Sequence, residues 1–192
     1  MAYPHWTLFE VIDEDLHEFS RQVEFAEPNF PTYSVTLVRL YLSICSEVDV
    51  IAKLLCQRIG APNASNMDLY RAALLSQYKD LPNLSILLKP MPGKVLTPWN
   101  SWNNNLNPIW WKDYNDVKHE RNKYFAKANL GNVLSAAAGL FVLLIYFHKP
   151  ELYGGHLQPV FRIFMADPTY VIHYSGDWGG SMNFLTSVLP KK

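Results

Sequence analysis

Apolar residues at Leu8, Val11, Ile12, Leu16, Phe19 and Val23 fall on one face at helical spacing and predict a helix from about Leu8 to Phe25. Pro28 and Pro31 then break the chain. Thr32 is placed to cap a long helix from Tyr33 to Ile59, a run without Pro or Gly that stops at Gly60. Asn66 is a second cap, for a helix from Met67 to Tyr78. Between Leu81 and Pro108 the prolines at 82, 90, 92, 98 and 108 exclude any long regular element. Trp99 and Trp102 within that loop predict that it wraps over the helices or lines a site. Pro108 suits the start of a helix from Ile109 to about Ala128. Asn129-Leu130-Gly131 marks a break, and Asn132 to Phe147 forms an Ala-rich, apolar helix closed by Pro150. After Gly154-Gly155 the pattern turns β-prone: Val160 to Met165 and Thr169 to Tyr174 predict a short hairpin around Asp167-Pro168, and Gly176 to Gly180 reads as turn chemistry.

The fold class that follows is mainly α, an antiparallel helical bundle with a long Pro/Asn/Trp loop and a short C-terminal β-hairpin. The 192 residues suffice for one well-buried core, so a single domain is expected, with the core bundle over 31–149 and an extension over 151–192. Hydrophobic content of 49% against 18% charged excludes a disordered chain. Zero net charge argues against long-range steering onto nucleic acid, though a local basic patch is compatible with it. Cys45 and Cys56 on one helix would stand about 16 Å apart along the axis, beyond the roughly 7 Å that a disulfide tolerates. They read as reduced thiols of a cytoplasmic protein. The N-terminus lacks a basic region followed by an apolar stretch, so no signal peptide is expected. Val133 to Phe147 falls short of the roughly 20 residues of a membrane span, so no membrane association is expected.

The densest chemistry lies in Trp110-Trp111-Lys112-Asp113-Tyr114-Asn115-Asp116-Val117-Lys118-His119-Glu120-Arg121-Asn122. At about 100° per residue Asn115, Lys118, His119 and Asn122 share one narrow face. Asp116, Glu120 and Lys123 form a second, solvated face. Tyr114, Val117, Arg121, Tyr124 and Phe125 make the third, apolar one. Imidazole exchanges protons near neutral pH, so His119 is the candidate proton shuttle. Lys118 is the candidate charge for a phosphate or oxyanion, and Asn115 a candidate for orienting the ring or a substrate. A polar helix–helix contact is the competing explanation of the same stripe. Arg121 on the apolar face needs a carboxylate, and Glu47 or Asp49 in Ser46-Glu47-Val48-Asp49-Val50-Ile51 would supply one. Neither a His-x-x-x-His or Glu-x-x-His metal spacing, nor a phosphate loop, nor a Gly-x-Ser-x-Gly elbow occurs, so no metal or cofactor is expected.

An acidic residue on the earlier helix and an Asn-x-x-x-His element on the later one resemble the HEPN superfamily. Its motif is Arg, a polar residue, three variable residues, then His. Laid on Tyr114-Asn115-Asp116-Val117-Lys118-His119, it matches Asn115 and His119 and places Tyr114 at the Arg position. The register Arg121-Asn122-Lys123-Tyr124-Phe125-Ala126 keeps Arg-Asn but puts Ala126 in place of His. The resemblance implies an all-α domain and metal-independent RNA cleavage of a toxin or phage-defence kind. His119, Asn115, Lys118 and Arg121 would form the site, with Glu47 or Asp49 positioning Arg121. It also implies a homodimer with a composite site, and a protein partner such as an antitoxin or another defence component. The alternative is a catalytically inactive HEPN-like module for dimerisation or partner binding.

Overall fold

From Ala136 to its end Leu130–Phe147 (α5) is apolar on every side, and a helix of that kind is stable only when covered all round. The computed structural model of the chain describes residues 3–153, 155–158, 161–167, 171–174 and 181–184. It is mainly helical, with a small three-stranded antiparallel sheet. Residues Ala136 through Phe147 are buried without interruption. Among the described residues α5 is the one helix long and apolar enough to cross a membrane, and 83% of it is buried inside the protein. It begins two residues earlier than the sequence pattern predicts. Asn129 accepts the Asn132 N–H and caps the helix, so Leu130-Gly131 is its first turn and not a break.

Val35–Arg58 (α2) lies along α5 in the same direction. The Leu130 and Gly131 N–H groups donate to the Thr32 and Phe30 carbonyls at 2.8 and 3.1 Å and join the two starts. At the other end Arg58 donates to the Phe147 carbonyl and lies 3.6 Å above that ring. Pro4–Ser20 (α1) and Ile109–Tyr124 (α4) run the opposite way. His5 meets Glu47 and the Phe147 ring, while further along α1 Asp15 pairs with Arg39. The Trp110 ring lies over Gly139, whereas Asp113, later on α4, meets Asn132 near the start of α5. The bundle is therefore a parallel central pair flanked by antiparallel helices, not the antiparallel bundle expected from the sequence.

α1 starts at Pro4, where a proline costs nothing because that N–H has no helical partner, and it ends at Ser20, short of Phe25. Its Trp6, Phe9, Ile12, Leu16 and Phe19 are buried, with Phe9 stacked on Phe141 at 5.2 Å, so the core extends N-terminal to residue 31. Ser34, not Thr32, caps α2 by accepting the Leu37 N–H. Asn66 caps Met67–Gln77 (α3) as its position predicts. Cys45 and Cys56 are buried free thiols on α2, and burial pushes both up, Cys56 to about 11.

The Pro-rich loop does wrap over the core. Trp99 and Trp102 are buried, and the Trp99 indole donates to the Gly139 carbonyl at 3.0 Å. The loop also holds two short strands that its prolines obscure, Ile86–Leu88 (β1) and Val95–Leu96 (β2). Lys149–Tyr153 (α6) takes Pro150 into its first turn, where the sequence reading had a stop. Phe164–Ala166 (β3) pairs with β1, with Leu88 opposite Phe164, and not with the segment after Asp167-Pro168. The physical reason is an anchor on α1: the Asp13 carboxylate accepts the Arg162 and Ile163 N–H groups at 2.7 and 3.0 Å and aims the chain at β1. Val171–Tyr174 (β4) pairs instead with Ser181–Phe184 (β5). Val160, Thr169 and the expected turn at 176–180 lie outside the described residues.

His148 departs from the role its position suggests, that of a cation at the end of a helix. It is buried among the rings of Tyr3, Trp6 and Phe147, and that burial lowers its pKa, which favours the neutral ring. A depressed histidine contributes stability that is present above its unfolded value of about 6.5 and lost as pH falls through its folded value. On acidification from pH 7.5 to 5, the melting temperature of the wild type should therefore fall further than that of His148→Asn. A second prediction concerns Gly139, where an added Cβ would stand 2.9 Å from Trp110 Cζ2. Gly139→Ala should cost about 1–3 kcal/mol by overpacking, measured by urea denaturation.

Candidate functional site

α4 turns Trp110, Tyr114 and Val117 inward at spacings of four and three. The Tyr41 hydroxyl of α2 donates to the Trp110 carbonyl, and the Tyr41 and Tyr114 rings meet edge to face at 6.1 Å. Tyr114, at the motif's Arg position, is thus a core residue whose hydroxyl pKa is raised by burial. With those three inside, Trp111, Asn115 and Lys118 face the groove between α2 and α4.

The helix does not continue regularly to Asn122. Glu120 has φ −133° and ψ 53°, and the helical phase is lost there. The break carries Arg121 away from the face that an unbroken helix would give it. A wheel drawn through an unbroken helix puts Arg121 on the apolar face, but Arg121 is exposed beyond the break. The expected bridge to Glu47 or Asp49 does not form. Glu47 lies 2.5 Å from His5 Nδ1, and Asp49 accepts the Tyr70 hydroxyl at 3.0 Å and pairs with Lys53 at 3.4 Å. Neither carboxylate positions Arg121.

A compact polar cluster joins the end of α4 to the start of α5. Lys127 Nζ lies 2.8 Å from Asp113 and 2.6 Å from Asp116, and these two hydrogen bonds raise its pKa. Asn132 donates to Asp113 and to the Lys127 carbonyl, each at 2.9 Å. Lys123 likewise has Glu120 at 3.4 Å. By contrast Lys112, Lys118 and Arg121 have no carboxylate partner among the described residues. Lys118 does have its ammonium 5.6 Å from the centre of the Tyr114 ring.

Two concavities lie along the groove. One, of about 510 Å³, is bounded by Asp49, Asn66, Asn107, Trp111, Asn115 and Lys118. The other, of about 650 Å³, is bounded by Leu42, Lys118, His119, Arg121, Asn122 and Phe125. The single stripe expected of α4 is therefore divided. His119, Arg121 and Asn122 stand together, Asn115 and Asp49 belong to the neighbouring hollow, Lys118 borders both, and Glu47 borders neither. No carboxylate lines the second hollow among the described residues. The sequence pattern singles out neither Trp111 nor Asn107 for a role, yet both line the first hollow. Nothing local distinguished Asn107, whose role depends on Arg71 and Asp68 of α3 reaching it at 2.8 and 3.2 Å.

No cluster of three His, Cys, Asp or Glu side chains suited to a metal ion occurs among the described residues. No protein-family model, characterised protein or solved structure matches the chain. The α4–α5 cluster yields its own expectation. Asp113→Ala removes acceptors from Lys127 and Asn132 and should destabilise the protein by about 1 kcal/mol, given their partial exposure. Urea denaturation measures it.

Proposed function

We propose that the chain is a HEPN-like, metal-independent endoribonuclease of a toxin or phage-defence kind. The observation that carries the reading is the convergence of Lys118, His119, Arg121 and Asn122 on one hollow with no carboxylate in its lining among the described residues. Such a hollow attracts a phosphate, and His119 stands exposed at its edge to exchange a proton.

In the proposed reaction His119 accepts the proton of a ribose 2′-hydroxyl as that oxygen attacks the adjacent phosphorus. The bond from phosphorus to the 5′-oxygen breaks, the leaving oxygen takes up a proton from water, and His119 returns the proton it accepted to solvent. The products are a 2′,3′-cyclic phosphate and a free 5′-hydroxyl. Lys118 and Arg121 offset the charge that builds on the phosphate oxygens. Arg121, projecting beyond the helix break, takes the place of the arginine absent at Tyr114. A homodimer whose α4 helices face one another would complete the site, and an antitoxin or another defence component would be its protein partner.

A catalytically inactive HEPN-like module for dimerisation or partner binding is the second reading. The burial of Tyr114 favours it, since the motif's Arg position then holds a core ring and no cation for a phosphate.

Incubating total RNA and tRNA with the protein in EDTA separates the two. Cleavage by the wild type should leave 2′,3′-cyclic phosphate ends, and His119→Ala should lower the rate by about 10²–10⁴-fold. Its melting temperature should stay that of the wild type, because His119 is exposed. Cleavage unaffected by the substitution would remove the proposal, and no cleavage at high protein concentration would favour the binding module.

A further inference from the structure

The smaller hollow differs from its neighbour in charge, and it is not a second phosphate site. Asp49 and Asp68 stand in its lining against Lys112 and Lys118, so it carries no surplus of positive charge. Asp68 is already engaged, with Arg71 at 3.0 Å and Asn107 at 3.2 Å. What it offers a ligand is a flat aromatic wall and a set of acceptors.

The wall is Trp111, half-buried and held by the Tyr114 ring at 5.1 Å and the perpendicular Trp110 ring at 6.0 Å. The acceptors come from two helices. On α2 the Asp49 side chain is 38% exposed. Tyr70 donates to one of its oxygens and Lys53 lies beside the other. A carboxylate oxygen accepts more than one hydrogen bond, so both retain capacity. Burial and the bond to Asp49 raise the Tyr70 pKa, which keeps its hydroxyl a donor. On α4 Asn115 spends its amide on the Trp111 carbonyl at 2.9 Å, and its Oδ1 has no protein partner among the described residues.

We infer that this hollow is a guanine subsite. An unstacked base is held by stacking on an aromatic ring and by hydrogen bonds along its Watson–Crick edge. Guanine presents N1–H and the N2 amino group side by side, which suits a carboxylate fork plus one amide oxygen. Uracil would turn carbonyl oxygens toward Asp49, and adenine and cytosine each present one amino group beside an acceptor nitrogen. Lys118 borders both hollows, and Asn115 and His119 are about 6 Å apart along the axis, so a base in one hollow leaves its phosphodiester within reach of the other. The inference rests on the proposed ribonuclease only for the source of the base, RNA; the subsite itself stands on the hollow.

Calorimetric titration of the whole protein with 5′-GMP, AMP, CMP and UMP tests the subsite without any cleavage. GMP should bind roughly tenfold or more tighter than the others. Asp49→Asn, which keeps an oxygen for Tyr70, should remove that preference, and Trp111→Leu should weaken all binding, with thermal melts confirming that each variant is folded. Equal affinity for the four nucleotides, or a preference that survives Asp49→Asn, would overturn the inference. Mapping of cut sites on an RNA containing all four bases separates base in RNA from free nucleotide. Cuts clustered beside guanine support the subsite on RNA, whereas cuts without base preference overturn it and leave the ribonuclease standing. GMP selectivity without any cleavage supports the subsite and removes the ribonuclease reading.

Discussion

Burial of α5 is the constraint on which the rest of the structure depends. A helix that is apolar around its whole circumference needs cover from every direction, and no single partner supplies it. α2 lies along it in parallel, α1 and α4 flank the pair, and the Trp99–Trp102 loop crosses it. The small residues Ala136 to Gly139 let those aromatic rings approach the helix axis, which is why Trp110 can pack over Gly139.

That cover also sets the candidate site. α4 must give α5 and α2 its Trp110, Tyr114 and Val117, so its opposite side is free for polar chemistry. The helix then breaks at Glu120, while Lys127, Asp113, Asp116 and Asn132 hold the turn into α5. The result is a groove with His119 and cations that lack a carboxylate partner among the described residues at one end, and Trp111, Asn115 and Asp49 at the other.

Much of this was legible in the sequence because it is local. The long second helix, the helix from Met67, the all-apolar helix to Phe147, the Pro-rich loop and the chemical density of α4 follow from periodicity and breakers. What escaped depends on contacts distant in sequence or on a local break with no residue signature. Glu120 is an ordinary helix residue, so nothing announced the lost phase that frees Arg121. Glu47 found His5 on α1, a helix the pattern started too late to include His5. Asp13 redirected the chain near 162 toward β1 across nearly the whole sequence. The parallel course of α2 and α5 is likewise topology, invisible to periodicity.

The most direct test of the central claim, that the α4 groove receives RNA, is an NMR titration with a short 2′-O-methyl RNA, which cannot be cleaved. Shifts confined to Trp111, Asn115, Lys118, His119 and Arg121, weakening as salt is raised, are the expected result. Saturating RNA that leaves the His119 ring signals unmoved, or moves only signals outside the groove, would contradict it.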